Sequence, residues 1–331
     1  MRHWGKTLFG VAVTFFLLWW VLRNEDPSEV WANILQGDFV LLFASVAMAT
    51  FGFFIRALRW KVLLARVHPH TRLGSRFAAV SIGFMGNNVL PLRAGEFMRP
   101  YALSRLESVT MSGAFGSLVV ERFLDGIVLL LFLVVPVTMP GSPAADAFSG
   151  EAGSLLLRGG MITVALVLFA LVSMAVWPRH FSQLVEWFAR FLPRKISVPL
   201  LDSLTSFLDS LTIMRDPKLL ALGLAWTVFF WIWHASSFWL GMLAFDIDIG
   251  IVASLFTTAF VAFGVALPSA PGFLGTFQVA AVFAISDIYG AGEAAALAFA
   301  FGFFFVSWLP ITAIGLGYVW KLGLSISEIG S

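Results

Sequence analysis

Nine long apolar runs occupy most of this 331-residue chain and constrain its fold more than any other feature. They cover residues 7–22, 39–58, 78–90, 111–139, 155–177, 219–245, 251–267, 273–288 and 294–320. A helix needs about 20 residues to cross a bilayer, and most of these runs are long enough. Charged residues make up only 12% of the chain, against about 25% in soluble domains. The sequence therefore predicts an all-α, polytopic integral membrane protein.

The distribution of Lys and Arg predicts the orientation, because basic residues mark cytoplasmic loops. Basic residues follow the second run and the 155–177 run, whereas none occurs between Leu219 and Trp320. This pattern places both termini in the cytoplasm and predicts a multi-pass protein of the inner (plasma) membrane of a prokaryote. The first run has no small-residue cleavage site after it, so we expect an uncleaved signal anchor.

Two segments are predicted to enter and leave the membrane on the same side. The short run 78–90 has basic residues on both flanks, whereas segment 251–288 has acidic residues on both flanks. A segment with like flanks is a re-entrant hairpin rather than a span. The prediction is then about six full spans plus two hairpins that enter from opposite faces. Two full spans in place of the second hairpin would fit the same charges.

The tips of both hairpins contain a Leu-Pro…Gly-Phe pattern, with a Glu inserted in the first. It runs over 90–97 in the first hairpin and over 267–273 in the second. The pattern indicates an inverted repeat, with a chance match as the alternative. Pro and Gly favour an unwound backbone, which survives at membrane depth only inside protein or beside water. Paired broken segments of this kind are typical of the central site of a transporter.

Charged residues cluster in otherwise apolar sequence. Arg93, Glu96 and Arg99 follow the first tip, and their spacing of three predicts one shared helical face. Glu121 and Asp125 lie one turn apart, which predicts a common face for them too. A charge at the bilayer centre costs about 2.5–3.5 kcal/mol, so we expect these groups to pair. Either the pairs only hold helices together, or the arginines form a phosphate site aimed by the carboxylates. The candidate binding residues are Arg59, Asn87, Asn88, Arg93, Glu96, Arg99, Glu121, Arg122 and Asp125.

Other chemistry receives little support from the sequence. The chain has no Cys, and His68 and His70 have no clear third metal ligand. His234 lies in an aromatic span, where we expect it to be packed or to face a cavity, with a proton relay as the less favoured alternative. We expect no metal, no cofactor and no nucleic-acid partner. No nucleophile motif indicates catalysis, so we expect a transporter rather than an enzyme.

Four pieces of sequence resemble the flippase-like family found as the transmembrane region of lysylphosphatidylglycerol synthases. They cover residues 56–64, 87–99, 121–125 and 271–278, in family order. The resemblance extends from about residue 5 to 320. It implies binding of an anionic phospholipid or polyprenyl-phosphate lipid and its movement between leaflets. It also adds residues of the second tip to the candidate site, namely Pro271, Gly272, Gly275 and Gln278.

Two departures from the family pattern limit what the resemblance implies. The chain ends eleven residues after Trp320, without the cytosolic aminoacyltransferase domain of the synthases, so we expect no aminoacyl transfer. Gln278 stands where the family often has Glu. Because an amide does not titrate, this weakens any idea of proton coupling at that position.

The domain prediction is a single membrane domain over 1–331. Within it, residues 178–218 are predicted to form two amphipathic helices on the cytoplasmic interface, with a plain connector as the alternative. The leading function is a lipid flippase or transporter. The alternatives are a non-transporting membrane partner of lipid-modifying enzymes and, less favoured, a lipid-linked transferase. A homo-oligomer and an enzyme partner both remain open.

Overall fold

The computed structural model describes residues 14–23, 26–90, 93–177, 211–266 and 271–323, with isolated residues 180, 183, 187, 201, 202, 204, 207 and 208. Across these ranges the chain is helical and contains no strand. This confirms the prediction of an all-α fold. The predicted connector 178–218 falls largely outside the described residues, as do parts of both hairpin tips, 91–92 and 267–270.

The helices alternate between long, apolar segments and short connecting ones. In the first half they are α1 (14–22), α2 (Pro27–Gln36), α3 (Phe39–Leu63), α4 (Leu73–Val89), α5 (Gly95–Leu106), α6 (Met111–Thr138), α7 (Pro143–Ala147) and α8 (Glu151–Val176). In the second half they are α9 (Pro217–Leu243), α10 (Gly250–Gly264), α11 (Thr276–Val282) and α12 (Glu293–Lys321). A 3₁₀ turn at Pro271–Phe273 precedes α11, and a π-helix at Phe283–Ile288 continues it.

Several helices are long enough to cross a bilayer, which confirms a polytopic membrane protein. In the described ranges, four segments satisfy both length and hydropathy, namely Phe39–Leu63, Pro217–Leu243, Pro271–Ile288 and Glu293–Lys321. Helix α6, with 28 residues, and α8, with 26, are also long enough. The count of six full spans and the single domain over 1–331 stay predictions.

The first predicted hairpin is a pair of helices, α4 and α5, in close backbone contact. A Cβ atom added at Gly83 would lie 2.7 Å from the Cβ of Arg99, and one added at Gly86 would lie 3.0 Å from the Cα of Gly95. A Cβ at Gly95 itself would overlap the carbonyl oxygen of Gly83. Small residues allow such close packing between helices inside a membrane. This helix pair therefore extends well beyond the apolar run 78–90, and its entry and exit on the same side of the membrane stay a prediction.

The second hairpin pairs α10 with α11 across a broken tip. The helices approach closely, since a Cβ atom at Gly264 would lie 2.8 Å from the Cβ of Ala280. The predicted unwinding is confirmed at the tip, where φ is 74° at Gly272, 64° at Phe273 and 90° at Gly275. Helix α10 has 15 residues, fewer than a typical span. Whether the segment returns to the side from which it entered stays a prediction.

The two hairpin tips contact each other. The side chain of Arg93 donates a hydrogen bond of 3.0 Å to the carbonyl oxygen of Val265, at the end of α10. A Cβ atom at Gly272 would lie 3.2 Å from the carbonyl oxygen of Asn88 and 3.0 Å from the indole nitrogen of Trp308 on α12. The amide of Asn88 in turn donates to the hydroxyl of Thr312 at 2.8 Å. Helix α12 thus supports both tips from one side.

Candidate functional site

A cavity of about 830 Å³ lies where the two tips meet. Its size is within the usual range of ligand sites, about 300–1,000 Å³. Most of the wall is apolar and aromatic, with Phe238, Phe277 and Trp308 among the lining residues. The polar lining residues are Arg56, Asn87, Asn88, Arg93, Glu96, Arg122, Asp125, Thr163, His234, Thr258 and Ser307. The cavity therefore joins polar residues of the first hairpin to the tip of the second.

Glu121 lies beneath the cavity as the centre of a buried ion-pair network. Its side chain is fully buried, and its two oxygens accept hydrogen bonds of 2.8 and 2.9 Å from Nη1 and Nη2 of Arg99. Nη2 of Arg59 lies 3.0 Å from the same carboxylate. Bidentate pairs of this kind are the strong, geometrically specific ones. Arg99 on α5 and Arg59 on α3 are thereby tied to α6.

Asp125, one turn further along α6, extends this network to the cavity wall. Its Oδ1 accepts hydrogen bonds of 2.6 Å from Arg59 and 2.9 Å from the indole nitrogen of Trp231. Arg59 also donates to the hydroxyl of Thr227 on α9 at 3.2 Å. The prediction that Glu121 and Asp125 share one helical face is confirmed, because both contact Arg59.

Arg56 and Arg122 are more loosely paired and line the cavity. The guanidinium of Arg56 is 3.5 Å from Glu121 and 4.0 Å from Asp125, and it lies 4.0 Å above the ring of Phe230. Arg122 is 3.5–3.7 Å from its nearest carboxylates, and its side chain is 43% exposed. At these distances most of the guanidinium donors remain available to a ligand.

Arg93 is held by a carbonyl and an aromatic ring rather than by a carboxylate among the described residues. Its backbone has a φ of 56°, and its guanidinium lies 5.3 Å from the ring centre of Phe273. The Nε of Arg93 and the Oδ1 of Asn87 are buried and have no hydrogen-bond partner within the described ranges. Buried polar atoms are normally satisfied, so both are groups that a ligand could satisfy.

The charges around the cavity do not balance. The group comprises five arginines and three carboxylates, namely Arg56, Arg59, Arg93, Arg99, Arg122, Glu96, Glu121 and Asp125. Two positive charges are therefore in excess. A concave, largely apolar site with this surplus concentrates anions.

The sequence-predicted site residues fall into three sets. Asn87, Asn88, Arg93, Glu96, Arg122, Asp125 and Gly272 line the cavity. Arg59, Arg99 and Glu121 form the network beneath it. Pro271, Gly275 and Gln278 shape the second tip, where Oε1 of the buried Gln278 accepts a 2.7 Å hydrogen bond from the backbone N–H of Gly275.

The predicted common face for Arg93, Glu96 and Arg99 is wrong. Helix α5 begins at Gly95, so Arg93 lies in the turn before it. Arg99 turns into the buried network, whereas Glu96 lines the cavity. A spacing of three aligns side chains only when all of them belong to one helix.

Several cavity residues were missing from the predicted site, among them Arg56, Trp231 and His234. Arg56 lies one helical turn before Arg59, and this spacing was the signal that could have found it. Trp231 donates to Asp125 across the fold, and no sequence signal connects the two. His234, for which packing and a cavity-facing position were both expected, lines the cavity and stacks on Phe230 with ring centres 5.8 Å apart. In the described ranges no three His, Asp or Glu side chains are grouped as a metal would require.

A comparison with known protein families shows to which family the chain belongs. A family model described as the lysylphosphatidylglycerol synthase TM region matches residues 7–315. The chain belongs to this family. The predicted resemblance is thereby confirmed, and with it the assignment as an integral membrane protein.

Named relatives add detail to this membership. Over 99% of its length the chain is 23% identical to a UPF0104 membrane protein of Methanothermobacter thermautotrophicus, and the match covers 98% of that protein. It is 28% identical over 35% of its length to glycosyltransferase AglD of Haloferax volcanii, and 33% identical over 34% to UPF0104 membrane protein MJ1595 of Methanocaldococcus jannaschii. These two matches span 19% and 30% of the relatives' own lengths. No solved structure matches the chain significantly.

Proposed function

We propose that this family member binds the anionic head group of a phospholipid or polyprenyl-phosphate lipid in the central cavity and moves it between leaflets. It would do so in the inner (plasma) membrane of a prokaryote, with both termini in the cytoplasm. One observation carries the proposal. Two broken hairpins meet at a cavity in which arginines outnumber carboxylates.

The arginines divide into two groups with different roles in this proposal. Arg59 and Arg99 are almost fully buried and closely paired, so they hold the carboxylates in place. Arg56, Arg93 and Arg122 line the cavity and keep donors free for a phosphate. The planar guanidinium matches phosphate geometry through paired N–H donors. The carboxylates therefore aim the arginines without cancelling their charge.

The contact between the tips supports movement rather than binding alone. Arg93 donates to the carbonyl of Val265, so a phosphate that engaged Arg93 would compete for a contact that joins the hairpins. Binding of a head group would then loosen the second tip from the first. Broken segments that meet at the middle of the membrane are the usual place for such alternating access.

A transporter accounts for these features better than an enzyme does. The name glycosyltransferase belongs to AglD, and the match covers 19% of that protein. The described cavity offers arginines, amides and aromatic rings, which bind a head group. We accordingly propose an anionic lipid as the partner and a transporter as the class of protein.

A reconstitution experiment tests the proposal. The purified chain would be placed in vesicles that contain fluorescent phosphatidylglycerol, and translocation followed by chemical quenching of the outer leaflet. Arg93→Gln removes a free guanidinium, and we expect translocation to slow about tenfold, as for one lost charge-assisted contact. Arg66→Gln is the matched control, because Arg66 pairs with Asp216 and does not line the cavity.

The result has two clear forms. Slower translocation by Arg93→Gln, with Arg66→Gln at the wild-type rate, supports the proposal. Equal translocation in all three proteins, at equal reconstituted amounts, contradicts it. Native mass spectrometry of the purified chain would identify the lipid class that accompanies it.

A further inference from the structure

One stripe of α6 lines the cavity along about half of the helix. It consists of Phe115, Val119, Arg122 and Gly126, which are spaced by four, three and four residues and so share one face. The opposite face of α6 carries the buried Glu121. Arg122 belongs to the stripe and lies 3.6 Å from Glu121, so this side of α6 connects the buried ion pairs to the cavity.

Helix α8 is the element across from this stripe. Thr163 is the α8 residue that lines the cavity. Gly126 lies twelve residues before the end of α6 at Thr138, and Thr163 lies twelve residues after the start of α8 at Glu151. At 1.5 Å per residue both lie about 18 Å from the connecting loop. Gly126 and Thr163 line the same cavity, so α6 and α8 face each other at this point.

The space between the two helices is open. A Cβ atom added at Gly126 would meet no atom within 4 Å, and the same holds at Gly159, one turn from Thr163 on α8. At the other end of the stripe, Phe115 stacks on Phe97, which is 54% exposed. The side chain of Arg122 is also 43% exposed, although it lies in the middle of an apolar helix. Its nearest carboxylates are 3.5–3.7 Å away, so the exposed part of the guanidinium keeps donors that a phosphate can accept.

We infer that the gap between α6 and α8 is a lateral entrance for a diacyl anionic phospholipid. The head group passes to Arg122 and the cavity, and an acyl chain lies in the space beside Gly126 and Gly159. This inference rests on the proposed function and adds the route. An acyl chain belongs in the apolar phase, so a lipid can reach a central polar site only through a side opening of this kind. The gap is continuous with the cavity, which is why an acyl chain is its expected occupant.

Photocrosslinking in vesicles tests the entrance directly. The probe is phosphatidylglycerol with a diazirine in one acyl chain, and mass spectrometry locates the adducts. We expect adducts on the Phe115–Gly126 stripe and near Thr163. Gly126→Trp fills the space, and we expect it to lower these adducts about tenfold because overpacking excludes the chain.

Gly317→Trp is the matched control. Gly317 also has open space around a Cβ atom, but it lies on α12 and does not line the cavity. Thermal unfolding of both variants would establish that they are folded. Adducts that are lowered by Gly126→Trp and unchanged by Gly317→Trp support the entrance. Adducts on the stripe that are unaffected by Gly126→Trp overturn it.

The failure of this inference differs from the failure of the proposed function. If translocation depends on Arg93 but Gly126→Trp changes neither adducts nor rate, the entrance is wrong and the proposed function stands. If Gly126→Trp lowers the adducts but Arg93→Gln leaves translocation unchanged, lipid occupies the gap and the proposed function is wrong.

Discussion

The two hairpins reach the same cavity with different chemistry. The first contributes charged and amide groups, namely Asn87, Asn88, Arg93 and Glu96. Segment 250–288 contains no Lys or Arg, and its one acidic residue is Asp287 at the far end. What the second hairpin contributes at its tip is backbone shape, with positive φ at Gly272, Phe273 and Gly275.

This difference indicates which hairpin is fixed. Arg99 anchors the first hairpin to α6 through a buried bidentate pair, which cannot separate without leaving charges unpaired. The second tip contacts the first through the carbonyl of Val265 and the backbone at Gly272, which involve no ion pair among the described residues. We therefore expect the second hairpin to be the element that moves when a head group binds.

Removal of the carboxylate of Glu121, which anchors the first hairpin, should lower the stability of the protein the most. Glu121→Gln leaves Arg99 buried without a carboxylate partner among the described residues and leaves Arg59 with Asp125 alone, and we expect it to lower the free energy of unfolding by about 3–5 kcal/mol. Thermal unfolding in detergent measures this loss. Glu96→Gln is the control, since the nearest basic group to Glu96 is 3.7 Å away and we expect less than about 1 kcal/mol. Equal losses would show that the network does not anchor the hairpin.

Glycine substitutions compare how tightly each hairpin is packed. Gly95→Ala would push a methyl group into the carbonyl of Gly83, and we expect a loss of about 3 kcal/mol. Gly264→Ala meets one atom within 3 Å, the methyl carbon of Ala280 at 2.8 Å, and we expect about 1 kcal/mol, because a small separation of α10 and α11 relieves this single contact. Thermal unfolding in detergent measures both losses of stability. A larger loss for Gly264→Ala would reverse the assignment of the rigid hairpin.

Loss of the hydrogen bond between Gln278 and the Gly275 N–H at the second tip should have a smaller effect on stability. Gln278→Leu removes the acceptor of the Gly275 N–H, and we expect a loss of about 1 kcal/mol, together with faster hydrogen exchange at Gly275. Exchange at an amide within α4 serves as the internal reference. If the Gly275 amide exchanges at the wild-type rate, the hydrogen bond does not hold the tip.

The smallest effect is expected at the outer end of the first hairpin. Burial raises the pKa of Glu107, but hydrogen bonds from Ser75 and Arg72 outweigh it and hold the pKa below its usual 4.5. Its contribution is therefore present above pH 4.5 and is lost as the pH falls through the lowered value. We expect Glu107→Gln to destabilise the protein by less than about 1 kcal/mol at neutral pH, and not at all at about pH 2. A difference in melting temperature that persisted at low pH would contradict this.

The parts of the fold that followed from sequence are those set by local spacing and by charge. The four-residue separation of Glu121 and Asp125 predicted their common face, which their shared contact with Arg59 confirms, whereas the re-entrant path predicted from the flanks of the first hairpin stays a prediction. The position of Arg93 could not be predicted from the sequence, because residue spacing does not show where the turn between α4 and α5 ends and α5 begins. Nor did the role of Arg56, since the ring of Phe230 on which it lies belongs to a distant part of the chain.

Thiol labelling tests the central claim most directly, because the chain has no Cys of its own. Asn88→Cys would place one thiol in the cavity, and Ser117→Cys would place another in the buried core beside Trp60 as a control. The two reagents are methanethiosulfonates, one carrying a negative sulfonate group and the other a positive trimethylammonium group, and each rate is divided by the rate of the same reagent with free cysteine. We predict that the negative reagent modifies Asn88→Cys about tenfold faster than the positive one, and that Arg93→Gln reduces this ratio of rates. Ser117→Cys should react with neither. A Cys at position 88 that stays unmodified, or that reacts faster with the cationic reagent, would contradict a hydrated, positively charged cavity between the two tips.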